Sequence, residues 1–267
     1  MSGESEHKLL YFSPAWSGGL ADYARSQADA LVDAGTKVVF LTSRRNEIDP
    51  ASGCCIRKEL SPASVGASGN SRLMHKFELA RELVANFRQL ARIVKREKFD
   101  RVLLGSYVEY LAPIWAAQLR RLASCGVVFG TVVHDPVRDY VVGPQWWHRW
   151  SVRAAYSFLR EAFVHEAIEL DTGRPMPRLR TTVIPHGPYR FPPPRLGREQ
   201  VRARLKIPRE AKVLLSFGQV RDGKNLDLVI RAIARESQAY LVVAGKVSST
   251  IWSMEPNSMS WHSSRST

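Results

Sequence analysis

Short apolar runs alternate along the chain with longer segments whose apolar positions recur every three or four residues. The runs have the length of buried strands, and the longer segments have the periodicity of amphipathic helices. The predicted strands lie at residues 9–13, 38–42, 101–105, 127–133, 162–165, 181–184, 213–217 and 240–244. The predicted helices lie at residues 20–34, 73–98, 110–123, 146–160, 199–205 and 226–234. Strands separated by helical crossovers predict an α/β fold with a parallel sheet covered on both faces, as in a doubly wound Rossmann-like domain.

A proline-rich segment divides this pattern. Residues 187–198 carry four prolines and two glycines, which is typical of a linker. We therefore predict an N-terminal Rossmann-like domain over residues 1–187, a linker over 188–198, and part of a second Rossmann-like domain over 199–247. Residues 44–71 are rich in Gly, Ser and Pro, so the sequence predicts a long loop there.

The last twenty residues, 248–267, differ in composition, since eight are serine and the apolar periodicity is gone. Two strands are predicted in the second domain, whereas a doubly wound domain has roughly five or six. We therefore expect this domain to be incomplete and followed by a disordered tail unrelated to it, as a truncation or a frameshift would produce. A natural disordered tail would have a similar composition.

Charge and cysteine content narrow the function classes. Thirty-nine Lys and Arg against 25 Asp and Glu give a net charge of +14, which attracts nucleic acid, anionic lipid headgroups or nucleotide sugars. The charge is spread along the chain, which disfavours a dedicated nucleic-acid tail. The 3 cysteines are too few for a disulfide framework and form no C-x-x-C pair for zinc binding or redox chemistry, which indicates a reducing compartment.

The sequence pattern predicts neither a signal peptide nor a membrane-spanning helix. Residues 1–7 are polar and acidic, unlike a signal peptide, and the apolar runs are far short of the roughly 18 residues of a membrane span. The sequence therefore predicts a cytoplasmic protein.

Glycines and a His-Asp pair follow two of the predicted strands. Gly18 and Gly19 lie between the first strand and the first helix, where glycines let a phosphate approach the amides of a helix start. An ordinary glycine turn is the alternative. His134 and Asp135 come directly after strand 127–133, at the sheet edge where such folds bind ligands. An imidazole there can donate to a substrate hydroxyl or accept its proton, unless it only holds a loop.

A strand-to-helix turn at residues 218–225 nearly matches the phosphate-binding pattern G-x-x-x-x-G-K-[ST]. Asn225 replaces the hydroxyl residue that would hold magnesium, so we interpret the match as a look-alike of a P-loop. Arg221 and Lys224 are nevertheless well placed to clamp a diphosphate. The alternative is a pair of solvated surface cations.

Two further patterns have plain explanations. Residues 165–169 resemble the zinc-binding H-E-x-x-H, but Glu169 replaces the second histidine, which disfavours a metal site. Residues 146–160 interleave aromatic residues with arginines, as on an anionic membrane surface or a nucleic-acid interface. We favour the interpretation that these aromatics pack on the sheet while the arginines face water.

Four segments together resemble family 4 glycosyltransferases of the group 1 type, and the resemblance extends over residues 8–247. They are the glycines at 18–19, the His-Asp pair at 134–135, Ile-Pro-His-Gly at 184–187, and Phe-Gly-Gln-Val-Arg-Asp-Gly-Lys at 217–224. The resemblance implies the GT-B fold, in which two Rossmann-like domains face each other across a cleft. The N-terminal domain of such enzymes receives the acceptor, and the C-terminal domain holds a nucleotide-sugar.

The resemblance also implies an activity. Sugar would pass from a nucleotide-diphosphate sugar to a glycan, lipid-linked or other hydroxyl acceptor, usually with retention and without a bound metal or cofactor, as in polysaccharide biosynthesis. Carried over to this sequence, it gives a catalytic role to His134 and Asp135, and donor binding to Gly18, Gly19, Arg221 and Lys224.

The chain departs from the family pattern near its end. The family has two glutamates eight positions apart late in its second domain, whereas Glu255 is the only acidic residue after Lys246 here. We therefore expect weakened donor binding. The alternative function is a non-catalytic basic Rossmann-like module that binds nucleic acid or an anionic membrane surface. Peripheral contact with the inner face of a membrane is compatible with either function, and nucleic acid is the less favoured partner.

Overall fold

The computed structural model describes residues 8–47, 53–62, 72–105, 108–136, 141, 143–189, 193–218, 220, 224–236 and 238–245. The chain divides into two compact units, Met1–Phe191 and Pro192–Thr267. The boundary between the units falls within the segment 188–198.

The first unit is built on a seven-stranded sheet in which all neighbouring strands are parallel. Its strands are β1 Lys8–Ser13, β2 Lys37–Ser43, β3 Cys55–Leu60, β4 Arg101–Leu104, β5 Val128–Val133, β6 Glu161–Val164 and β7 Arg180–Val183. Its helices are α1 Gly19–Asp33, α2 Arg72–Glu97, α3 Ala112–Ser124 and α4 Gln145–Tyr156. The strands are arranged in the order β3-β2-β1-β4-β5-β6-β7.

Side chains alternate between the two faces of this sheet, as strand geometry requires. On β1, Leu10 and Phe12 belong to a core packed against α2, α3 and α4, whereas Tyr11 belongs to a core packed against α1. Both faces are therefore covered, which explains the nearly continuous apolar runs of the strands. The prediction of an α/β, doubly wound Rossmann-like domain is confirmed.

The strand β3 lies inside residues 44–71, so the prediction of one long loop there is wrong. Three of the six residues of its sequence, CIRKEL, are charged, and only Leu60 is buried. The strand is at the edge of the sheet, paired on one side with β2. Charged side chains are tolerated and useful at an edge, so the apolar signal that reveals a central strand is missing here.

The strand order fixes where this sheet can bind a ligand. Strands β2 and β3 lie on one side of β1, and β4 to β7 lie on the other. The direction of strand addition therefore reverses between β1 and β4. In open parallel sheets, ligands bind outside the carboxyl ends of the strands at such a reversal.

The second unit contains α5 Arg198–Arg204, β8 Lys212–Phe217, α6 Leu226–Ile233 and β9 Ala239–Ala244, with the two strands parallel. These four elements match the predicted ones closely. Helix α6 buries Leu226 and Ile230, whereas Phe217 on β8 is 86% exposed. The predicted disordered tail, residues 248–267, lies outside the described residues. Among the residues described in both units, no helix is long and apolar enough to cross a membrane.

Candidate functional site

Three neighbouring strands of the first unit end at residues that meet at one edge of the sheet. Gly105 follows β4, His134 follows β5 and His165 follows β6 directly. The register pairs Val133 with Val164, so the two histidines after them are brought side by side. The carboxyl ends of parallel strands lie at the same edge of a sheet, and the imidazoles of His134 and His165 therefore lie at this edge.

The two imidazoles form a continuous line of hydrogen bonds across four strand ends. His134 Nε2 lies 3.1 Å from the carbonyl oxygen of Gly105 after β4. His134 Nδ1 lies 3.3 Å from His165 Nε2. His165 Nδ1 lies 3.2 Å from the carbonyl oxygen of Ile184, just after β7. Both ring nitrogens of each histidine are thus engaged within the protein.

Helix α1 covers this pair with an aromatic side chain. The ring of Tyr23 meets that of His134 edge to face, with centroids 4.6 Å apart and an interplanar angle of 89°. The centroid of the Tyr23 ring is also 5.2 Å from that of the His165 ring and 5.1 Å from that of the His186 ring. A relay holds the phenol in place, since Tyr11 donates to Gln27 at 2.7 Å and Gln27 donates to Tyr23 at 3.4 Å.

A third histidine stands beside the pair with its own partners. The carbonyl oxygen of Gly187 lies 3.2 Å from His186 Nδ1, and Tyr189 Oη lies 3.2 Å from His186 Nε2. A neutral ring with its hydrogen on Nδ1 satisfies both contacts, because the Tyr189 hydroxyl can donate to Nε2.

Burial controls protonation in this cluster. It is the largest cause of the lowered pKa of His134, and the neighbouring His165 and His186 lower this pKa further. The hydrogen bond to the Gly105 carbonyl and the charge of Asp135 act in the opposite direction. Burial also raises the pKa of Tyr23, with a smaller contribution from Tyr189. His134 is therefore a neutral ring near pH 7 and Tyr23 a protonated phenol, both suited to hydrogen bonding rather than to charge.

The structure places the predicted site residues of the first unit around this edge. His134 is at its centre, and the exposed Asp135 follows it, acting on the ring through its charge. The sequence alone assigns no functional role to His165, which the structure brings into contact with His134. Its signal was present in the sequence: a histidine follows the apolar run of each of two consecutive predicted strands.

Gly18 and Gly19 form the start of α1. Gly18 has φ 79°, and its carbonyl oxygen accepts from the amides of Ala21 at 2.9 Å and Asp22 at 3.1 Å. It is thus the residue that begins the helix, and it has no side chain to cap the first amides. An uncapped helix start after the first strand suits an anionic ligand.

We expect Gly18→Ala to destabilise the first unit by about 1–3 kcal/mol, because φ 79° with ψ −175° is a backbone conformation essentially restricted to glycine. Gly19→Ala is the matched control, since Gly19 has no such φ and an added Cβ would meet nothing within 4 Å at either position. Thermal unfolding of both variants measures the difference. Equal melting temperatures would show that the backbone at Gly18 relaxes freely.

The second unit holds the remaining predicted residues. Lys224 is exposed just before α6, and Asn225 is the N-cap residue of that helix, with φ 51°. Arg221 lies outside the described residues. Residues 165–169 follow β6 without helical geometry, unlike a zinc-binding helix. Across the described part of the chain, no group of three or more potential ligand side chains is arranged to hold a metal ion.

The aromatic helix α4 divides into two parts. Tyr156 and the following Phe158 are buried in the core, as expected from packing on the sheet. Trp146 and Trp150 are 65% and 51% exposed, so that interpretation is wrong for them. These two tryptophans contact Trp147 edge to face. They form an apolar surface next to exposed arginines.

One family model and several solved structures are similar to this chain. The family model described as Glycosyltransferase Family 4 matches residues 17–188, more than half of the chain. A search of curated proteins returns no match. Among solved structures, Arabidopsis thaliana UGT89C1 complexed with UDP-L-rhamnose matches with a TM-score of 0.51 and 13% identity, covering 91% of this chain and 65% of that one.

Two bacterial structures match less closely. Anabaena Alr3699/HepE in complex with UDP-glucose has a TM-score of 0.49 at 13% identity, over 88% of this chain and 60% of that one. A glycosyltransferase from Rickettsia africae ESF-5 has a TM-score of 0.45 at 12% identity, over 90% of this chain and 69% of that one. The chain thus spans about two thirds of the length of these proteins, and similarity at such identity concerns the fold.

Proposed function

Since the chain belongs to Glycosyltransferase Family 4 and has a GT-B-like α/β fold, we propose that it moves a sugar from a nucleotide-diphosphate sugar to a hydroxyl acceptor. The acceptor would be a glycan, a lipid-linked sugar or a similar alcohol, and transfer would proceed with retention. The observation that carries the proposal is the family match over residues 17–188, which contains both the start of α1 and the histidine edge.

The histidine edge would contact the sugar. In its neutral form, His134 carries hydrogen on Nε2, because the Gly105 carbonyl can only accept. That N–H would exchange the carbonyl for a sugar hydroxyl and thus orient it as a hydrogen-bond donor. Asp135, exposed beside it, would accept from a second hydroxyl. This assignment favours orientation of the substrate over proton abstraction by His134.

Cations and amides would stabilise the leaving group. Departure of a nucleoside diphosphate develops negative charge, which fixed donors stabilise without a metal. Gly18 and Gly19 would offer amides at the start of α1, and Arg221 and Lys224 would supply charge-assisted hydrogen bonds to the diphosphate.

Calorimetric titration of the full chain with UDP tests the donor site. We expect Arg221→Ala and Lys224→Ala each to weaken binding about 10–100-fold, as loss of a charge-assisted hydrogen bond would. Lys212→Ala is the matched control, because Lys212 begins β8 at the opposite end of the strand. Failure of UDP and of other nucleoside diphosphates to bind, or equal affinities for all three variants, would refute the donor site.

A second candidate follows from the surface of α4. The exposed Trp146 and Trp150, together with a net charge of +14, fit a basic module that attaches to an anionic membrane. Co-sedimentation with anionic vesicles at low salt, compared between the chain and its Trp146→Ala variant, tests it. Lack of vesicle binding would eliminate this function, and DNA binding with a steep salt dependence would indicate a nucleic-acid module instead.

A further inference from the structure

The contacts of His134 and His165 require one more hydrogen than two neutral rings possess. A carbonyl oxygen only accepts, so His134 Nε2 must donate to Gly105 and His165 Nδ1 must donate to Ile184. These two bonds use the single hydrogen of each neutral imidazole. The contact between His134 Nδ1 and His165 Nε2, at 3.3 Å, then brings together two nitrogens without a hydrogen unless a third is added.

We propose that His134 and His165 act as one unit that holds a single extra proton between them, with His165 as a positioning residue for the ring of His134. The two rings form a chain of hydrogen-bond donors and acceptors from the Gly105 carbonyl after β4 to the Ile184 carbonyl after β7. With the proton in place, all three hydrogen bonds form and both rings are fixed at the strand ends.

The neighbouring His186 shows that the shortage of one hydrogen is specific to the pair. His186 has two partners as well, but one of them is the Tyr189 hydroxyl, which can donate. A neutral His186 therefore satisfies both of its contacts. The pair lies between two carbonyls, neither of which can supply a hydrogen, so the extra proton is required there and not at His186.

The surroundings limit the pair to one extra proton. Among the residues that the structure describes, the titratable groups around the pair are Tyr23 from α1, Asp135 after β5, and His186 and Tyr189 after β7, with Asp22 of α1 acting on Tyr189. Burial lowers the pKa of His134, which disfavours a full positive charge on that ring. A second proton would leave two donors facing each other and two like charges with ring centroids 5.3 Å apart.

The extra proton makes the position of His134 dependent on pH. As pH rises and the proton leaves, one of the three hydrogen bonds is lost, and the ring of His134 is held by fewer contacts. If the proposed sugar transfer is correct, on which this consequence rests, the contact with His165 keeps the His134 ring in place while its Nε2–H exchanges the Gly105 carbonyl for a sugar hydroxyl, and this support weakens as the pH rises.

Nitrogen-15 spectra of the histidine rings in the full chain, recorded across a pH titration, test the proposal without any substrate. We expect His134 and His165 to change together in a step that takes up one proton for the pair. His165→Gln, whose side-chain amide can donate to His134 Nδ1, should keep His134 with its hydrogen on Nε2 and abolish the shared step. His165→Ala should also abolish the shared step, while His134 keeps its hydrogen on Nε2 because the Gly105 carbonyl still accepts it.

His148→Gln on α4 is the control and should leave the shared step unchanged. Circular dichroism establishes that each variant is folded, and the glutamine variant keeps the test valid if the alanine variant is not. Two independent one-proton steps at His134 and His165, or His134 signals unaffected by His165→Ala, would overturn the proposal. Because the readout needs no donor, absence of glycosyl transfer would leave this result intact, and active transfer would not rescue it.

Discussion

Replacing Trp115 with alanine should lower the free energy of unfolding of the first unit by about 3–5 kcal/mol, the usual cost of truncating a buried tryptophan. Trp115 is 2% exposed, and its ring stacks on Phe87 with centroids 3.7 Å apart and an interplanar angle of 5°. It also meets Phe158 edge to face at 6.0 Å, and its indole N–H donates to the Tyr110 carbonyl at 2.8 Å. One side chain thus joins α2, α3 and the segment after α4.

Thermal denaturation followed by circular dichroism measures this loss, which corresponds to a fall in melting temperature of about 6–20 °C for a unit of this size. Trp115→Phe should give an intermediate loss, because it retains an aromatic ring and removes the N–H donor. Trp146→Ala is the surface control and should cost about 1 kcal/mol or less, since Trp146 is 65% exposed. Equal effects at the two tryptophans would contradict the packing described for the core.

Replacing Gly105 with alanine should cost about 3 kcal/mol and also disturb the histidine edge. A Cβ at this position would lie 2.5 Å from Cζ of Tyr11 and closer still to its Cε1 and Oη. The Tyr11 ring is fully buried, is stacked on Phe40 with centroids 5.2 Å apart, and donates to Gln27. The ring cannot move aside without losing these contacts, and overpacking of this kind is expensive.

The Gly105→Ala substitution would also change the hydrogen bond of His134. The Gly105 carbonyl accepts the hydrogen bond from His134 Nε2, so a shift of this backbone withdraws that partner. We expect the ring signals of His134 to change in the Gly105→Ala variant together with the loss of stability, as seen by nitrogen-15 spectra and by chemical denaturation.

Gly130 on the neighbouring strand β5 provides the matched control. A Cβ there would make ordinary contacts of 3.5–3.6 Å with Leu103, Phe163 and Glu161. Gly130→Ala should therefore change stability by about 1 kcal/mol or less, with a favourable contribution from the reduced freedom of the unfolded chain. If both variants were equally stable, the contact between Gly105 and Tyr11 would not restrict the backbone.

Most elements of the fold could be predicted from the sequence because central strands and their covering helices carry strong periodic signals. The strand β5 is predicted within one residue, since a strand buried on both faces carries apolar residues at most of its positions. The strand β3 was missed for the opposite reason, because an edge strand with charged side chains lacks that signal. The pattern of apolar residues thus predicts buried strands better than partly exposed ones.

The candidate site was predictable in part. Position after a buried strand was enough to select His134, and position before the first helix was enough to select Gly18. The role of His165 could not be predicted, because its contact with His134 joins residues 31 positions apart and depends on the register of β5 and β6. With Glu166 and Glu169, His165 resembles part of a zinc-binding helix motif, but residues 165–169 are not helical.

The sequence by itself determined the α/β class, the order of helices and strands, the net charge and the family resemblance, because each depends on residue types and their local spacing. The tertiary structure decided which strand ends lie side by side, and with them the line of hydrogen bonds from Gly105 through His134 and His165 to Ile184. It also decided that Tyr11 occupies the space beside Gly105 and that Trp146 remains exposed. The physical reason is that register and packing are set by contacts between distant residues, whereas periodicity records only whether a position is buried.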